Sequence, residues 1–336
     1  MINILKPKLS KILKLKLKKQ TDDKFLINTI TEGLIYASLR GIDSHGIRLL
    51  PHYYKSLSNG RKNPNPIFKL NAKSNHILID ADHAPGITAG FYAINKGIDF
   101  IKKNNFSAVL ISIKNSTHPG AMSSIISNAS YKNYWCLGFT NADSLMLTPG
   151  GKSPLMGTNP FSCTFPRVES HPFMLDMATT ITNWNKIMEF SKYKNNTNQY
   201  YGADKYGNIT KNLSKITQLL PIGDYKGFGL STVIDIFCSS FTQEKMSYEI
   251  DKMFKKKLDN KRQVSQFYII GKINTFSSKK VFKQFIQRLT KKIRSQKAKF
   301  GQKVYCPGDP EIFFYKNRIK KGIPINEELF EIIKNL

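Results

Sequence analysis

Several common signatures are missing from this 336-residue sequence. It contains no run of about 18 apolar residues, so we expect no transmembrane segment. Its first residues lack the compact apolar stretch of a secretory signal, and we expect a cytoplasmic protein. Its four cysteines show no C-x-x-C spacing, which argues against a zinc site or a disulfide framework and predicts reduced thiols and no metal.

Acidic residues are also scarce. The chain has 23 Asp and Glu against 52 Lys and Arg, a formal net charge of +29. Such a balance is typical of proteins that bind nucleic acid or anionic membranes. The lysines, however, are spread along the whole chain, and no nucleic-acid-binding motif accompanies them. We interpret the charge as an accumulation of lysine at surface positions, and we do not expect nucleic acid as a partner. The alternative is a protein that has lost its enzymatic activity and binds polyanions through its basic surface.

The common motifs of nucleotide-binding enzymes and hydrolases are absent. No G-x-G-x-x-G opens a helix after a strand, which excludes the ordinary Rossmann fingerprint. The Gly-Lys-Ser at 151–153 is not a P-loop, because Met146 occupies the position of the first glycine. Neither H-E-x-x-H nor G-x-S-x-G occurs, so a zinc protease or a hydrolase with a nucleophile elbow is not supported.

Apolar periodicity predicts alternating strands and helices, and therefore an α/β fold around a largely buried sheet. The predicted strands are 76–81, 107–113, 134–140, 172–178 and 266–273. The predicted helices are 1–20, 22–40, 87–104, 120–132, 225–241 and 279–297, with a charged connection at 246–265.

The two N-terminal helices carry further detail. The first is basic and amphipathic, and we interpret it as part of a helical N-terminal region; binding to a membrane surface is the alternative. The second helix is predicted to begin at an N-cap, Thr21 or Asp22, and to end at Arg40-Gly41.

Two histidines stand in polar turns that contain glycine. His45 lies in Gly-Ile-Asp-Ser-His-Gly, and His118 lies in Asn-Ser-Thr-His-Pro-Gly, just after a predicted strand. Ligands of open α/β sheets bind at such strand ends, and histidine can transfer a proton near neutral pH. We therefore predict functional roles for these two histidines, and interpret His76, His83 and His171 as surface or structural histidines.

These turns and eight other segments resemble the type-2 malate/L-lactate dehydrogenase family of non-Rossmann NAD(P)-dependent oxidoreductases. The matching segments keep their order over nearly the whole chain. They are LRGIDSHG (39–46), KNSTHPGA (114–121), GFTNAD (138–143), PGG (149–151), GTNP (157–160), LDMATT (175–180), ADKYGNIT (203–210), LLPIGDYKGFGLSTVID (219–235), YCPGD (305–309) and KGIPI (321–325).

The resemblance implies a mixed-sheet α/β domain that binds NAD(P), a helical region built from both chain ends, and a homodimer. We expect a helical N-terminal region at 1–72 that carries the Ser-His-Gly turn. We expect the cofactor- and substrate-binding domain at 73–300, and a C-terminal segment at 301–336 that returns to the helical region.

The resemblance also implies a site. His118 matches the base that takes the hydroxyl proton, and His45 matches the second catalytic histidine. Cofactor contacts are implied for Ala142, Asp176, Met177, Ala178, Lys226, Gly227, Gly308 and Asp309. Substrate contacts are implied for Ser44, Arg48, Tyr53 and Arg262.

Two positions depart from the family pattern. The family arginine that would clamp a substrate carboxylate is expected at position 49, where this chain has leucine, with Arg48 beside it. Asn185 replaces a glycine after the cofactor strand. The reaction implied is NAD-dependent oxidation of a 2-hydroxy acid. Segments such as 118–124 and 175–186 are most similar to the ureidoglycolate-oxidising branch; malate, L-lactate or another 2-hydroxy acid is the alternative substrate, and NADP the alternative cofactor.

Overall fold

A seven-stranded mixed sheet forms the centre of the computed structural model, which describes residues 1–253 and 260–336. The strands in chain order are β1 (Ile2–Ile4), β2 (Lys69–Lys73), β3 (His76–Asp80), β4 (Ala108–Ser116), β5 (Tyr134–Thr140), β6 (Met146–Leu147), β7 (Pro154–Met156), β8 (Phe161–Phe165), β9 (Phe173–Met177), β10 (Gly202–Ala203), β11 (Ile209–Thr210), β12 (Gln218–Leu219), β13 (Val264–Lys272) and β14 (Ile323–Ile325). The central sheet has the order β2-β3-β4-β13-β5-β8-β9. Within it β3 and β4 are parallel, and the other neighbouring pairs are antiparallel.

Helices cover the sheet and form the two chain ends. They are α1 (Lys6–Lys18), α2 (Lys24–Leu39), α3 (Leu50–Ser58), α4 (Gly86–Asn104), α5 (Met122–Tyr131), α6 (Trp184–Phe190), α7 (Tyr225–Ser239), α8 (Lys279–Arg294), α9 (Asp309–Lys321) and α10 (Glu327–Asn335). The mixed α/β architecture is confirmed, and each predicted strand and helix overlaps an observed one. The sequence analysis did not predict the strands β1, β2, β8 and β14, the helices α3, α6, α9 and α10, or a small sheet of order β11-β10-β12-β6-β7.

The two faces of the central sheet bury different clusters. Alternation along β13 sends Tyr268 and Ile270 to the larger cluster, and α4 and α5 pack on the sheet's strands. Phe267, the residue before Tyr268, belongs to a second cluster with Ile234 and Cys238 of α7. The sheet is therefore buried on both faces, as its continuous apolar strands predict.

The start of α2 differs from the prediction. Its N-cap is Asp23, whose carboxylate accepts hydrogen bonds from the amides of Phe25 and Leu26 at 2.8 and 3.1 Å. Thr21 does not cap the helix, because its hydroxyl contacts the carbonyl of Pro64 at 2.6 Å. The end at Arg40-Gly41 is confirmed: Arg40 is the C-cap, and Gly41 has a φ of +76°.

The two chain ends meet. Strand β1 pairs with β14, and Ile2 is opposite Ile325. The apolar side of α1 is buried, since Leu9, Leu13 and Leu17 are inaccessible to solvent. That face packs into the protein and is not available to a membrane. None of the helices in the two described ranges is long and apolar enough to span a bilayer.

The division at residues 72/73 and 300/301 stays a prediction. A single cluster of buried apolar residues includes Leu9 of α1, Ile111 of β4 and Ile333 of α10, so it extends across both boundaries. The predicted connection at 246–265 lies partly outside the described residues, and β13 begins at Val264 within it.

Candidate functional site

One large cavity of about 840 Å³ opens beside the end of the central sheet. Its wall is formed by the Ser-His-Gly turn, the turn that contains His118, the start of α5, the end of β9, α6 and residues 305–312. Cofactor and ligand sites commonly have volumes of about 300–1,000 Å³. This cavity is large enough for a dinucleotide-sized ligand.

The two histidines predicted to be functional meet in this cavity. The rings of His45 and His118 are stacked, with centroids 5.5 Å apart and planes inclined by 22°. Each ring borders the cavity on one side and is otherwise enclosed by protein. Burial lowers the pKa of His45 to about 4. Burial, together with His45, Arg262 and Lys62, holds the pKa of His118 well below its usual range. Both rings are therefore neutral at pH 7.

Local hydrogen bonds orient each ring. The hydroxyl of Ser44 lies 2.9 Å from Nδ1 of His45. The amide of Gly120 donates to Nδ1 of His118 at 3.2 Å. A neutral ring whose Nδ1 accepts a hydrogen bond carries its proton on Nε2. This bond also disfavours the doubly protonated ring of His118, since two N–H groups would then face each other.

Tyr53 supports the His118 turn from behind. Its side chain is fully buried, and its hydroxyl donates to the carbonyl oxygen of His118 at 3.1 Å. Burial raises the pKa of this phenol, so it remains a neutral hydrogen-bond donor. Tyr53 does not line the large cavity, and its role as a substrate residue stays a prediction.

Helix α6 is attached to the Ser-His-Gly turn by Asn185, the residue that departs from the family pattern. Its side-chain amide donates to the carbonyl oxygen of Ser44 at 3.0 Å. A glycine here could not make this bond. Asn183, Lys186, Glu189 and Phe190 of the same segment line the cavity. Asn185 thus fixes α6 against the Ser-His-Gly turn.

Asp176 joins β9 to the start of α5. Its carboxylate accepts a hydrogen bond from the amide of Ser123 at 2.7 Å, in the first turn of that helix. Burial raises the pKa of Asp176, although this hydrogen bond opposes the shift. Asp176, Met177 and Ala178 all border the cavity.

Backbone from distant segments completes the wall. Ala142 borders the cavity, and its amide donates to Asn159 at 2.9 Å. Gly308 also borders the cavity and has a φ of +90°, a conformation that glycine adopts most readily. These two residues can present only backbone and small side-chain surface to a ligand.

Asp309 does not border the cavity. Its carboxylate accepts from Nε of Arg294 at 2.8 Å and from the amide of Cys306 at 2.9 Å. Burial alone would raise the pKa of Asp309, but these hydrogen bonds outweigh it and lower the pKa. Asp309 therefore holds the loop that presents Gly308. A direct cofactor contact stays a prediction.

Lys226 and Gly227, at the start of α7, also lie outside the cavity wall. Lys226 is exposed. Gly227 packs so closely on the carbonyl oxygens of Ile222 and Thr179 that any Cβ atom would collide with them. Thr179 follows the cavity residue Ala178, so Gly227 sets the approach of α7 to this loop. Their cofactor contacts stay predictions.

Neither predicted substrate arginine borders the large cavity. Arg48 forms an ion pair with Glu189, at 3.3 Å. Arg262 is buried, pairs with Asp143, and donates from Nε to the carbonyl oxygen of Asp251 at 2.8 Å. Burial lowers the pKa of Arg262. Their roles as carboxylate ligands stay predictions.

A second, much smaller cavity of about 10 Å³ adjoins His118 from another side. Its wall comprises His52, Ser56, Arg61, Lys62, Thr117, His118 and Arg262. Reasoning from the sequence missed His52, Ser56, Arg61 and Lys62. No spacing or motif distinguishes Lys62 from the chain's many other lysines, and only the tertiary contacts reveal its burial.

The four cysteines are buried free thiols. Across residues 1–253 and 260–336, no three His, Cys, Asp or Glu side chains are grouped so that they could hold a metal ion.

Comparison with known proteins shows one consistent family. The family model of malate/L-lactate dehydrogenases matches residues 7–334. Ureidoglycolate dehydrogenase (NAD(+)) of Escherichia coli K12 is 26% identical over 307 residues, which cover 91% of this chain and 87% of that protein. Malate dehydrogenase of Pyrococcus horikoshii is 27% identical over 323 residues, covering 91% and 88%.

Solved structures show the same fold. Sulfolactate dehydrogenase of Methanocaldococcus jannaschii superposes with a TM-score of 0.90 at 25% identity, covering 99% of this chain and 96% of that one. Malate dehydrogenase of Entamoeba histolytica superposes with a TM-score of 0.92 at 21% identity and the same coverage.

Proposed function

This chain belongs to the malate/L-lactate dehydrogenase family of NAD(P)-dependent oxidoreductases, and we propose that it oxidises ureidoglycolate, a 2-hydroxy acid, to the 2-oxo acid with NAD. The observation that carries the proposal is the stacked pair His45 and His118 in the wall of a cavity of about 840 Å³. Oxidation of an alcohol needs a group that removes the hydroxyl proton, and a neutral imidazole can do so.

The residues around the cavity fit a dinucleotide. The volume is sufficient, and Ala142, Ala178 and Gly308 offer small, close-packed surface. Asp176 and Met177 would lie beside them. When bound, the nicotinamide ring supplies the hydride acceptor of the reaction.

His118 is the base in this proposal. Its low pKa keeps the ring neutral at pH 7 and able to accept a proton. Acceptance at Nε2 requires the tautomer with the proton on Nδ1, which gives up the 3.2 Å bond from Gly120. The loss of that bond, and of the tautomer it favours, is a cost that the proton transfer must overcome.

His45 and Ser44 form the second part of the proton path. The Ser44 hydroxyl is 2.9 Å from Nδ1 of His45 and fixes the orientation of the ring. Stacking against His118 places a second neutral imidazole beside the base. In the reductive direction protonated His118 would return the proton to the 2-oxo oxygen, while His45 and Ser44 orient the substrate.

Ureidoglycolate is proposed on the segments 118–124 and 175–186, which resemble that branch, and on the 26% identity to the E. coli protein. Malate is the second candidate, because a relative with that name is 27% identical over similar coverage. The test is initial-rate NADH formation with ureidoglycolate, malate, L-lactate and sulfolactate, each with NAD and NADP. Turnover of malate alone would change the proposed substrate and leave the proposed chemistry in place. If none of the four acids is turned over, the proposal fails.

We also propose that the chain is a homodimer in the cytoplasm. Helix α7 leaves Val233 and Ile236 about half exposed, at 48% and 51%, which is apolar surface that a second copy could cover. Light scattering of the purified protein gives its mass directly; a monomer at micromolar concentration would contradict the proposal.

A further inference from the structure

Among the basic side chains around the small cavity behind His118, one has no acidic partner in the described residues. Arg61 pairs with Asp251 at 2.8 Å, and Arg262 pairs with Asp143. The side-chain nitrogen of Lys62, in the same wall, has no hydrogen-bond or ion-pair partner among residues 1–253 and 260–336. Lys62 is therefore a basic side chain without an acidic partner in these ranges.

Lys62 is deeply buried. Only 2% of its surface is accessible, and its ammonium nitrogen lies 4.1 Å above the ring of Tyr53. Ser56, also in the wall, is fully buried and its hydroxyl likewise has no partner within the described residues. Buried polar groups are normally hydrogen-bonded, and two without partners around one cavity need an explanation.

The volume and chemistry of the cavity match one oxygen atom of an anion. About 10 Å³ is just enough for one water-sized atom. Lys62 can donate up to three hydrogen bonds and Ser56 one, and neither presents an acidic group to the space. A carboxylate oxygen would accept hydrogen bonds from both donors and would favour the protonated form of Lys62.

The small cavity matters for the proposed reaction because it adjoins His118. His118 borders both this cavity and the large one. In the large cavity the available cations are Arg40 and Lys186. Arg40 lies 3.7 Å over the Tyr36 ring and is engaged there. Lys186 is exposed to water, where a charge pair is weak.

We propose that Lys62 and Ser56 form the seat for the carboxylate of the 2-hydroxy acid, with one carboxylate oxygen in the small cavity and C2 beside His118. This inference rests on the proposed function. Tyr53 acts as a positioning residue, because it contacts both the Lys62 ammonium and the carbonyl oxygen of His118. With no anion bound, burial and the neighbouring arginines lower the pKa of Lys62, so carboxylate binding should be accompanied by proton uptake.

The test compares the wild type with Lys62→Met, using the full chain with saturating NADH. Oxalate and oxamate are the probes, because each carries a carboxylate like that of the 2-oxo product. We expect Lys62→Met to weaken oxalate binding at least 10-fold by calorimetry. Titrations in two buffers of different ionisation enthalpy should show that the wild type takes up as much as one proton when oxalate binds. The number of protons taken up should be clearly smaller for the variant. Lys55→Met, an exposed lysine on α3, is the matched control and should leave both results unchanged.

Kinetics give the second readout. Lys62→Met should raise KM for the turned-over 2-hydroxy acid at least 10-fold, with a smaller change in kcat, and leave NADH binding unchanged. Ser56→Ala should raise KM less, since it removes a neutral donor. Unchanged KM and unchanged oxalate affinity in a folded Lys62→Met variant would overturn the proposal and show that the cavity holds only a water molecule.

The two proposals can fail separately. If the wild type turns over no 2-hydroxy acid but oxalate binds with Lys62-dependent proton uptake, the anion seat stands and the proposed function fails. If the wild type is active and Lys62→Met is equally active and binds oxalate equally well, the function stands and the seat fails. If oxalate binds neither protein, the seat fails whatever the activity.

Discussion

The imidazoles of His45 and His118 are stacked with their centroids 5.5 Å apart, although one follows helix α2 and the other follows strand β4. Each ring is tied to its own turn, His45 through Ser44 and His118 through Gly120. Two neutral imidazoles in contact with one cavity can offer a proton acceptor and a hydrogen-bond donor without adding net charge.

Loss of the base should be the most damaging change. We expect His118→Ala to lower kcat by about 10²- to 10⁴-fold, the usual contribution of a general base. The measurement is the initial rate of NADH formation at saturating substrate. His76→Ala is the control, since this histidine contacts Ser112 on the central sheet and does not border the cavity. A His118→Ala variant with wild-type kcat would contradict the assignment.

Stability should decrease on acidification before the carboxylates titrate. His45 has a folded pKa of about 4, below its ordinary value of 6.5, so the unfolded chain binds its proton first. The stabilisation is complete above pH 6.5 and is lost as the pH falls towards 4, by at most about 1.4 kcal/mol per pH unit for this group. The pKa values of His52 and His118 are lowered too and act in the same direction.

Denaturant unfolding at pH 6.5, 6.0, 5.5 and 5.0 measures this slope. His45→Gln should have a shallower slope than the wild type, because one titrating group has been removed. Parallel slopes for the two proteins would show that His45 is not the buried, neutral ring that the structure describes.

Removal of the Lys62 charge should stabilise the protein. An unpartnered buried donor costs about 1–3 kcal/mol, and Lys62 is 2% exposed. We expect Lys62→Met to raise the free energy of unfolding by that order, since methionine has similar length and no polar group. Lys55→Met, on the exposed side of α3, should change stability by less than about 0.5 kcal/mol. A destabilised Lys62→Met variant would indicate a structural role for the ammonium group.

Arg48 should matter little for substrate binding. It pairs with Glu189 at 3.3 Å, about a third of its side chain is exposed, and it does not border the cavity. Exposed ion pairs contribute about 0–1 kcal/mol, so we expect Arg48→Ala to change KM by less than about 5-fold. A rise of 100-fold in KM would instead identify Arg48 as the carboxylate clamp.

Asp309 should stabilise the loop that presents Gly308, without contacting the ligand itself. Asp309→Asn weakens the paired bonds from Arg294 but retains a similar shape. We expect weaker NADH binding by fluorescence titration and a lower melting temperature together, because the loop loosens. A loss of NADH affinity with unchanged melting temperature would favour a direct cofactor contact.

Much of the fold follows from local pattern. The strands at 76–80, 108–116 and 134–140 and the long helices at 86–104 and 225–239 are apolar, periodic and bounded by turn residues. The short strands β6, β7, β10 and β12 have only two or three residues each, and no periodicity can be read in so short a segment. The Asp23 cap was misplaced because Thr21, Asp22 and Asp23 all have the residue types that cap helices.

Local residue patterns that keep their order along the chain were enough to predict the mixed α/β fold and the family, and they are the basis for the predicted roles of His45 and His118. The partners of the basic side chains, in contrast, became visible only in the three-dimensional structure. Arg48 is directed to Glu189, Arg262 to Asp143, and Lys62 is left without a partner within the described ranges. The reason is physical: a charge acts through its neighbours in space, and these neighbours come from segments far apart in the chain.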